Sequence, residues 1–289
     1  WVGRENGDPE VHVPRIDKRG RRTNDIQLTT TKGDAGDVTI TWAGNGWIVA
    51  WVDWRDGNGE VYATKVSPEL QRIAREERIT KAPGDASDLV AIPNGDAVWL
   101  AWADSRESPR DGVADVFVTA VKMRDAKRVF DEHRLLPTAA HSRTPHFAAG
   151  PGGIYIAWIE EAPLGAETPG ASGFGAFWAK LDPMGKPSDK PARIPVAGEG
   201  AATSVAIEPS STSIRAVVAR STHDVVSLDA VDLSAAAPKP ASLLALDGPP
   251  SLDVALVLDD GVLYFNDEGP HVSDRRARRA RIAWSQQGR

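Results

Sequence analysis

Apolar and polar residues alternate in short runs along the chain, and the runs return at a fixed period. In the clearest unit, Asp37-Val-Thr-Ile-Thr-Trp42 alternates as a half-buried strand does. Asn45-Gly46 follows, a pair that tolerates the positive φ of a hairpin turn. Trp47-Ile-Val-Ala-Trp51 is almost wholly apolar, which predicts a strand buried on both faces. A turn over 53–59, a third strand over 60–66 and a more polar fourth over 71–80 complete the unit. Polarity rises toward the fourth strand, as expected where an outer edge meets water. The pattern predicts further units with strands at 89–92, 98–102, 116–123 and 128–136, then at 147–149, 154–158, 176–181 and 192–196. A drifted unit without Trp follows, with strands at 203–207, 214–219, 225–233 and 242–246.

Trp1, Trp51, Trp102 and Trp158 mark the repeat, at spacings of 50, 51 and 56 residues. Gly33-Asp-Ala-Gly-Asp37 and Gly84-Asp-Ala-Ser-Asp88 lie 51 apart and are expected to turn into the innermost strand. The ends read as partial units. Residues 253–258, 262–265 and 278–284 look like first, second and third strands, while 10–17 and 22–29 look like a third and a fourth. Units of four strands at this period, without helical periodicity, describe an all-β chain: a β-propeller of four-stranded antiparallel blades. A single domain over 1–289 is expected, with blades near 1–30 (partial), 37–80, 86–136, 143–197, 202–247 and 251–289 (partial). Six blades is the leading count, with five or seven as alternatives. The amino-terminal blade is incomplete, so an upstream segment is expected to supply its missing strands.

Composition narrows the function classes. The chain is 41% hydrophobic and 26% charged over 289 residues, which suits a globular fold. A net charge of -6 gives no support for nucleic-acid binding. The absence of cysteine excludes disulfides, thiolate metal sites and a cysteine nucleophile. No apolar window is long enough for a transmembrane helix.

The string Ala50-Trp-Val-Asp-Trp-Arg-Asp-Gly-Asn-Gly-Glu-Val-Tyr62 resembles the repeat of exported bacterial propellers related to the sialidase-like and TolB-like families. The match is strongest within residues 1–160, sharp at Trp51 and Trp102 and partial at Trp1 and Trp158. The resemblance implies a propeller fold and a periplasmic, cell-surface or secreted bacterial setting. It implies no particular activity. The Ser-x-Asp-x-Gly-x-x-Trp boxes of sialidases are not matched. Ala192-Arg-Ile-Pro195 resembles their Arg-Ile-Pro element but falls on an outer strand past the middle of the chain.

Candidate chemistry sits at the turns. Arg55 and Arg106, with Asp53, Glu60, Asp104 and Asp115, either bind carboxylates and phosphates or clamp each hairpin, and their repetition favours the clamp. Asp56, Asn58 and Glu60 place oxygen ligands at alternate positions, a calcium pattern that also suits a Gly-rich turn. Otherwise no cofactor is expected. His141-Ser-Arg-Thr-Pro-His146 reads as a loop between a fourth and a first strand, where His141, Arg143 and His146 hold an anion or metal or simply form a polar loop. Insertions at 105–114, with Arg110, and at 160–175, with Glu160 and Glu161, should emerge on the same face and form the binding surface for a protein or glycan. The basic run from Arg275 to Arg281 reads as a solvated edge strand. No catalytic constellation is identified. The leading reading is a non-catalytic binding module of the cell envelope or extracellular space. The alternatives are a glycan hydrolase of sialidase-like type and a structural subunit whose terminal blades a partner segment completes.

Overall fold

The computed structural model describes residues 1–4, 7–161, 175–222, 225–246, 256–267, 276–282 and 284. Every regular element among them is a strand. The chain divides into two units, Trp1–Pro137 and Thr138–Arg289.

The first unit holds three sheets. β1 (Val2–Gly3), β2 (Glu10–Ile16) and β3 (Arg22–Gln27) form the first. β4 (Ala35–Trp42), β5 (Trp47–Asp53), β6 (Glu60–Val66) and β7 (Glu77–Arg78) form the second. β8 (Ala86–Asn94), β9 (Ala97–Asp104), β10 (Asp115–Lys122) and β11 (Arg128–Arg134) form the third.

The second unit holds three more. β12 (His141–Gly150), β13 (Gly153–Glu161), β14 (Gly175–Leu181) and β15 (Ala192–Arg193) are followed by β16 (Ala201–Pro209), β17 (Ile214–Ser221), β18 (Val226–Asp232) and β19 (Ala241–Leu246). β20 (Leu256–Asp259), β21 (Val262–Asp267) and β22 (Arg276–Arg281) make the last sheet. Each sheet is an antiparallel meander in chain order, the expected four-stranded unit with three-stranded sheets at both ends.

The apolar second strands are buried as their composition requires. Trp51, Trp102 and Trp158 are fully enclosed. Each such ring contributes roughly 4–6 kcal/mol of gross burial, from about 150–250 Å² removed from water. In the first unit, Ile48, Val52 and Val61 of the second sheet pack with Leu100, Trp102 and Phe117 of the third. Val11 and Val13 of the first sheet pack with Val49, Trp51 and Tyr62 of the second. In the second unit, Ile159 and Ile194 meet Val205 and Val218, and Leu228 meets Leu263 and Phe265.

Three expectations are corrected. The fourth strand of the second sheet is Glu77–Arg78, with one further bridge at Val66↔Arg72, and does not run over 71–80. An outer edge has little apolar surface to bury, so long pairing there gains little. Residues 35–37 and 86–88 are not turns: Ala35 and Gly36 pair with Asp53 and Val52 in β4, Ala86 and Ser87 with Asp104 and Ala103 in β8, and Asp37 and Asp88 enter bulges. His141 to His146 is not a loop but the start of β12, paired with β13. There Pro145, which has no N–H to give a ladder, sits in a bulge.

The repeated glycines have a steric cause. A Cβ on Gly84 would stand 2.4 Å from the backbone of Ser105 and Arg106, and one on Gly33 2.9 Å from Arg55 N. Gly84→Ala is expected to cost about 1–3 kcal/mol through this overlap, read as a lowered urea midpoint with an unchanged m-value.

Candidate functional site

The repeated geometry of the first unit is a clamp on each buried tryptophan. Trp51 stacks on Tyr62 and Trp102 on Phe117, with ring centroids 6.0 and 6.3 Å apart. Residues two apart on a strand share a face, so each indole N–H meets a carboxylate. Trp51 Nε1 donates to Asp53 Oδ2 at 3.0 Å, and Trp102 Nε1 to Asp104 Oδ2 at 2.9 Å. The other oxygen accepts the backbone N–H of Arg55 or Arg106, at 3.0 and 2.9 Å. The two guanidinium groups then fold back. Arg106 Nη2 meets Asp104 Oδ2 at 2.6 Å and its Nη1 meets Glu132. Arg55 bridges Asp53 and Glu76 in the same way. Each guanidinium lies over an aromatic face, 4.4 Å from the Tyr62 centroid and 4.2 Å from that of Phe117. Burial opposes the charge of Arg106, but Asp104 and Glu132 outweigh it and raise its pKa. Sequence reasoning had Arg55 and Arg106 beside their acids; Glu76 and Glu132 were missed.

Asp56, Asn58 and Glu60 do come together in one turn, with internal partners. Asp56 accepts the Tyr62 hydroxyl and pairs with Arg78 Nη1 at 3.0 Å. Asn58 Nδ2 donates to the carbonyls of Ala82 and Gly84, at 2.9 and 2.6 Å. Glu60 receives Arg78 Nη2 at 2.9 Å, Ala82 N at 3.0 Å and the Thr80 hydroxyl. Among the described residues no group of three or more His, Cys, Asp or Glu side chains is arranged to hold a metal.

On β12 and β13, Glu160 takes the part of Asp53. It is buried and accepts Trp158 Nε1 at 2.5 Å, Ser142 Oγ at 2.8 Å and Thr138 Oγ1 at 2.7 Å. Arg143 pairs with Glu161, which lies opposite His141 in the ladder. Arg110 is exposed in the turn between β9 and β10. Most of the 160–175 insertion, residues 162–174, lies outside the described residues.

One recurrent feature leaves no mark in the alternating pattern of the sequence. Each of β4, β8 and β12 carries a one-residue bulge, between Gly36 and Thr39, Ser87 and Val90, and Arg143 and His146. Asp37, Asp88 and Thr144 hold positive φ there, at 42°, 55° and 48°. Such conformations in non-glycine residues concentrate at functional positions. Asp37 and Asp88 meet across neighbouring sheets, where Asp88 N donates to Asp37 Oδ2 at 2.8 Å. Local desolvation raises the Asp37 pKa and the charge of Asp88 adds to it, against the lowering effect of that N–H, although the residue stays accessible. The signal was the acid repeated at positions 37 and 88.

A second feature of the first unit is a groove of about 520 Å³ at the Asn45 turn. Ile73 and Val129, each about half exposed, line it with Met123. Lys65, Lys122, Arg124 and Asp96 complete the lining; Lys65 Nζ donates to Asn45 Oδ1 at 2.6 Å and Arg124 Nε pairs with Asp125 at 3.2 Å.

No protein-family model and no curated protein matches the sequence. Solved structures do match the fold. A GH43_1 enzyme from Xanthomonas citri, complexed with xylotriose, aligns at 12% identity over 90% of this chain and 91% of its own, with a TM-score of 0.51. An alpha-L-arabinanase of Penicillium chrysogenum, complexed with arabinobiose, aligns at 11% identity over 81% and 70%, with a TM-score of 0.53. Domains 1-2 of Drosophila Semaphorin 1a align at 12% identity over 87% and 66%, with a TM-score of 0.50. The chain is therefore an all-β protein of the β-propeller class, a fold shared by glycoside hydrolases and by semaphorin.

His146 supplies a pH test. Its Nδ1 is sealed from solvent with no hydrogen-bond partner, and burial lowers its pKa from 6.5 to about 4. Above pH 6.5 the neutral ring has no effect on stability; as pH falls toward 4 the unfolded chain takes up a proton that the folded chain refuses. Stability should drop by at most about 2 kcal/mol between pH 7 and 5, since the ring keeps partial exposure. In His146→Phe this part of the acid sensitivity should vanish, measured by denaturant unfolding at both pH values.

Proposed function

We propose that this chain is a non-catalytic binding propeller of the bacterial cell envelope or extracellular space, and that it takes a protein segment. The observation that carries the reading is the groove beside Ile73 and Val129, whose volume of about 520 Å³ lies within the roughly 300–1,000 Å³ usual for ligand pockets. Apolar side chains supply contact area, and three cations against the two carboxylates of Asp96 and Asp125 leave a modest preference for negative charge. The repeated arginines, by contrast, are committed to their own sheets. The groove opens at the opposite strand ends from the 105–114 insertion. The setting rests on the resemblance of the repeat to exported propellers. The segment expected is acidic with one apolar anchor. In Val129→Asp, capture of such peptides should weaken by tenfold or more (about 1.4 kcal/mol) with little change in melting temperature, measured by fluorescence anisotropy on an acidic peptide panel. Equal binding by the variant and the native chain would remove the groove from consideration.

A second reading, a glycan hydrolase, is favoured by one observation. The Asp37 carboxylate accepts the Asp88 backbone N–H, and its pKa is raised by burial with the charge of Asp88 adding to it, as a general acid requires. The fold is also shared with enzymes that act on glycans. Under this reading, aryl glycosides of xylose or arabinose should be cleaved, and Asp37→Asn and Asp88→Asn should each lower kcat about 100-fold or more. Absence of turnover by the native chain across pH 4–8 would leave the binding reading alone.

A further inference from the structure

The first sheet keeps the frame of its neighbours and has lost their arginine. The registers correspond: His12 faces Gln27, Tyr62 faces Arg78, Phe117 faces Arg134 and Phe177 faces Arg193. Three sheets carry arginine at this position; the first carries Gln27. The acid that Arg78 serves is nevertheless retained, because Glu10 occupies the place of Glu60. Even its threonine survives. Thr29 donates to Glu10 and accepts Val11 N at 2.9 Å, as Thr80 donates to Glu60 and accepts Val61 N at 2.8 Å. Glu60 has Arg78 and Ala82 N as well; among the described residues Glu10 has Thr29 alone.

Where the guanidinium is missing there is a cavity of about 230 Å³, lined by Asp8, Glu10, His12, Gln27, Thr31 and Lys32. His12 stands in for Tyr62, is 3% exposed and is stacked on Trp1 with centroids 4.5 Å apart. Its Nδ1 lies 3.2 Å from Asp25 Oδ2. An ionised carboxylate only accepts, so Nδ1 is the donor here, and in the tautomer that this bond selects Nε2 offers a lone pair. That Nε2 has no hydrogen-bond partner among the described residues. Thr31 Oγ1 is buried without a partner. Asp25 Oδ2 is taken by Arg22 and His12, while Asp25 Oδ1 is buried without a partner. The groups left short of a partner are thus chiefly acceptors, and two carboxylates of the lining face one ammonium, that of the exposed Lys32.

A guanidinium is planar, always charged, and has five donors with no acceptor. We propose that this cavity binds a guanidinium group brought by a ligand, which takes against Glu10 and His12 the place that Arg78 fills in the second sheet. The site is separate from the groove at Ile73 and does not depend on it. The small volume admits one such group with its aliphatic stem. Two sources share this chemistry: a free guanidine, or an arginine side chain of a protein.

The test is isothermal titration of the native chain with agmatine, with the capped tripeptide Gly-Arg-Gly, and with butylamine as the ammonium control. Saturable binding of agmatine or the tripeptide, with butylamine at least tenfold weaker, is the expected result. A tighter tripeptide points to a protein source and equal affinities to a free guanidine, and both support the site. Gln27→Arg should fill the cavity from within, weaken agmatine tenfold or more and raise the melting temperature. Glu10→Gln, which keeps the shape, should weaken agmatine by about tenfold or more through loss of a charge-assisted bond. No binding of either guanidine by the native chain overturns the proposal. So does undiminished binding by a folded Gln27→Arg or Glu10→Gln chain.

Discussion

The structure depends on a buried carboxylate held between an indole N–H and a guanidinium. A tryptophan enclosed on all sides must place its N–H on an acceptor or lose a hydrogen bond to water. Asp53, Asp104 and Glu160 provide that acceptor from the same strand. A buried carboxylate must in turn be neutralised. Arg55 and Arg106 do this and reach on to Glu76 and Glu132 at the outer strand, so that a requirement at the core fixes the order of strands out to the edge. The fifth sheet, which has no tryptophan, keeps the theme in altered form: Arg220 Nε pairs with buried Asp229 at 3.0 Å, which also accepts Ala197 N at 2.9 Å.

Under the proposed binding reading, this arrangement separates the groups that hold the scaffold from those available for recognition. Charge copied in every repeat serves the repeat itself. Groups of interest for recognition are those that break the copy, such as Gln27 in the place of Arg78, or those beyond the reach of the clamps, such as Ile73 and Val129 at the far ends of the strands.

Much of the fold was legible because Trp spacing and period-two alternation are local signals. The strands around Trp51, Trp102 and Trp158 fall where the pattern put them. The bulges were not legible. An extra residue breaks the alternation, so Gly36 and Asp37 read as a turn, and two histidines around a proline made 141–146 read as a loop. The clamp was half legible. Asp53 and Arg55 are neighbours in sequence, whereas Glu76 and Arg78 reach their partners only through the register of β6 on β7. The repeat shows Gln27-Leu-Thr29 where the second unit has Arg78-Ile-Thr80, but not the cavity beside Glu10, which depends on the pairing of the strands.

The bulges also bear on how such a chain can change over time. A residue inserted out of step falls outside the alternation of its strand, so the core pattern does not dictate its side chain. β4, β8 and β12 each hold one such position, occupied by Asp, Asp and Thr, and β16 has its own between Ala202 and Ser204. These are sites where new chemistry can be tried one sheet at a time while the tryptophan clamps stay closed. A family of these chains should therefore differ most at those few positions and least two residues beyond each tryptophan.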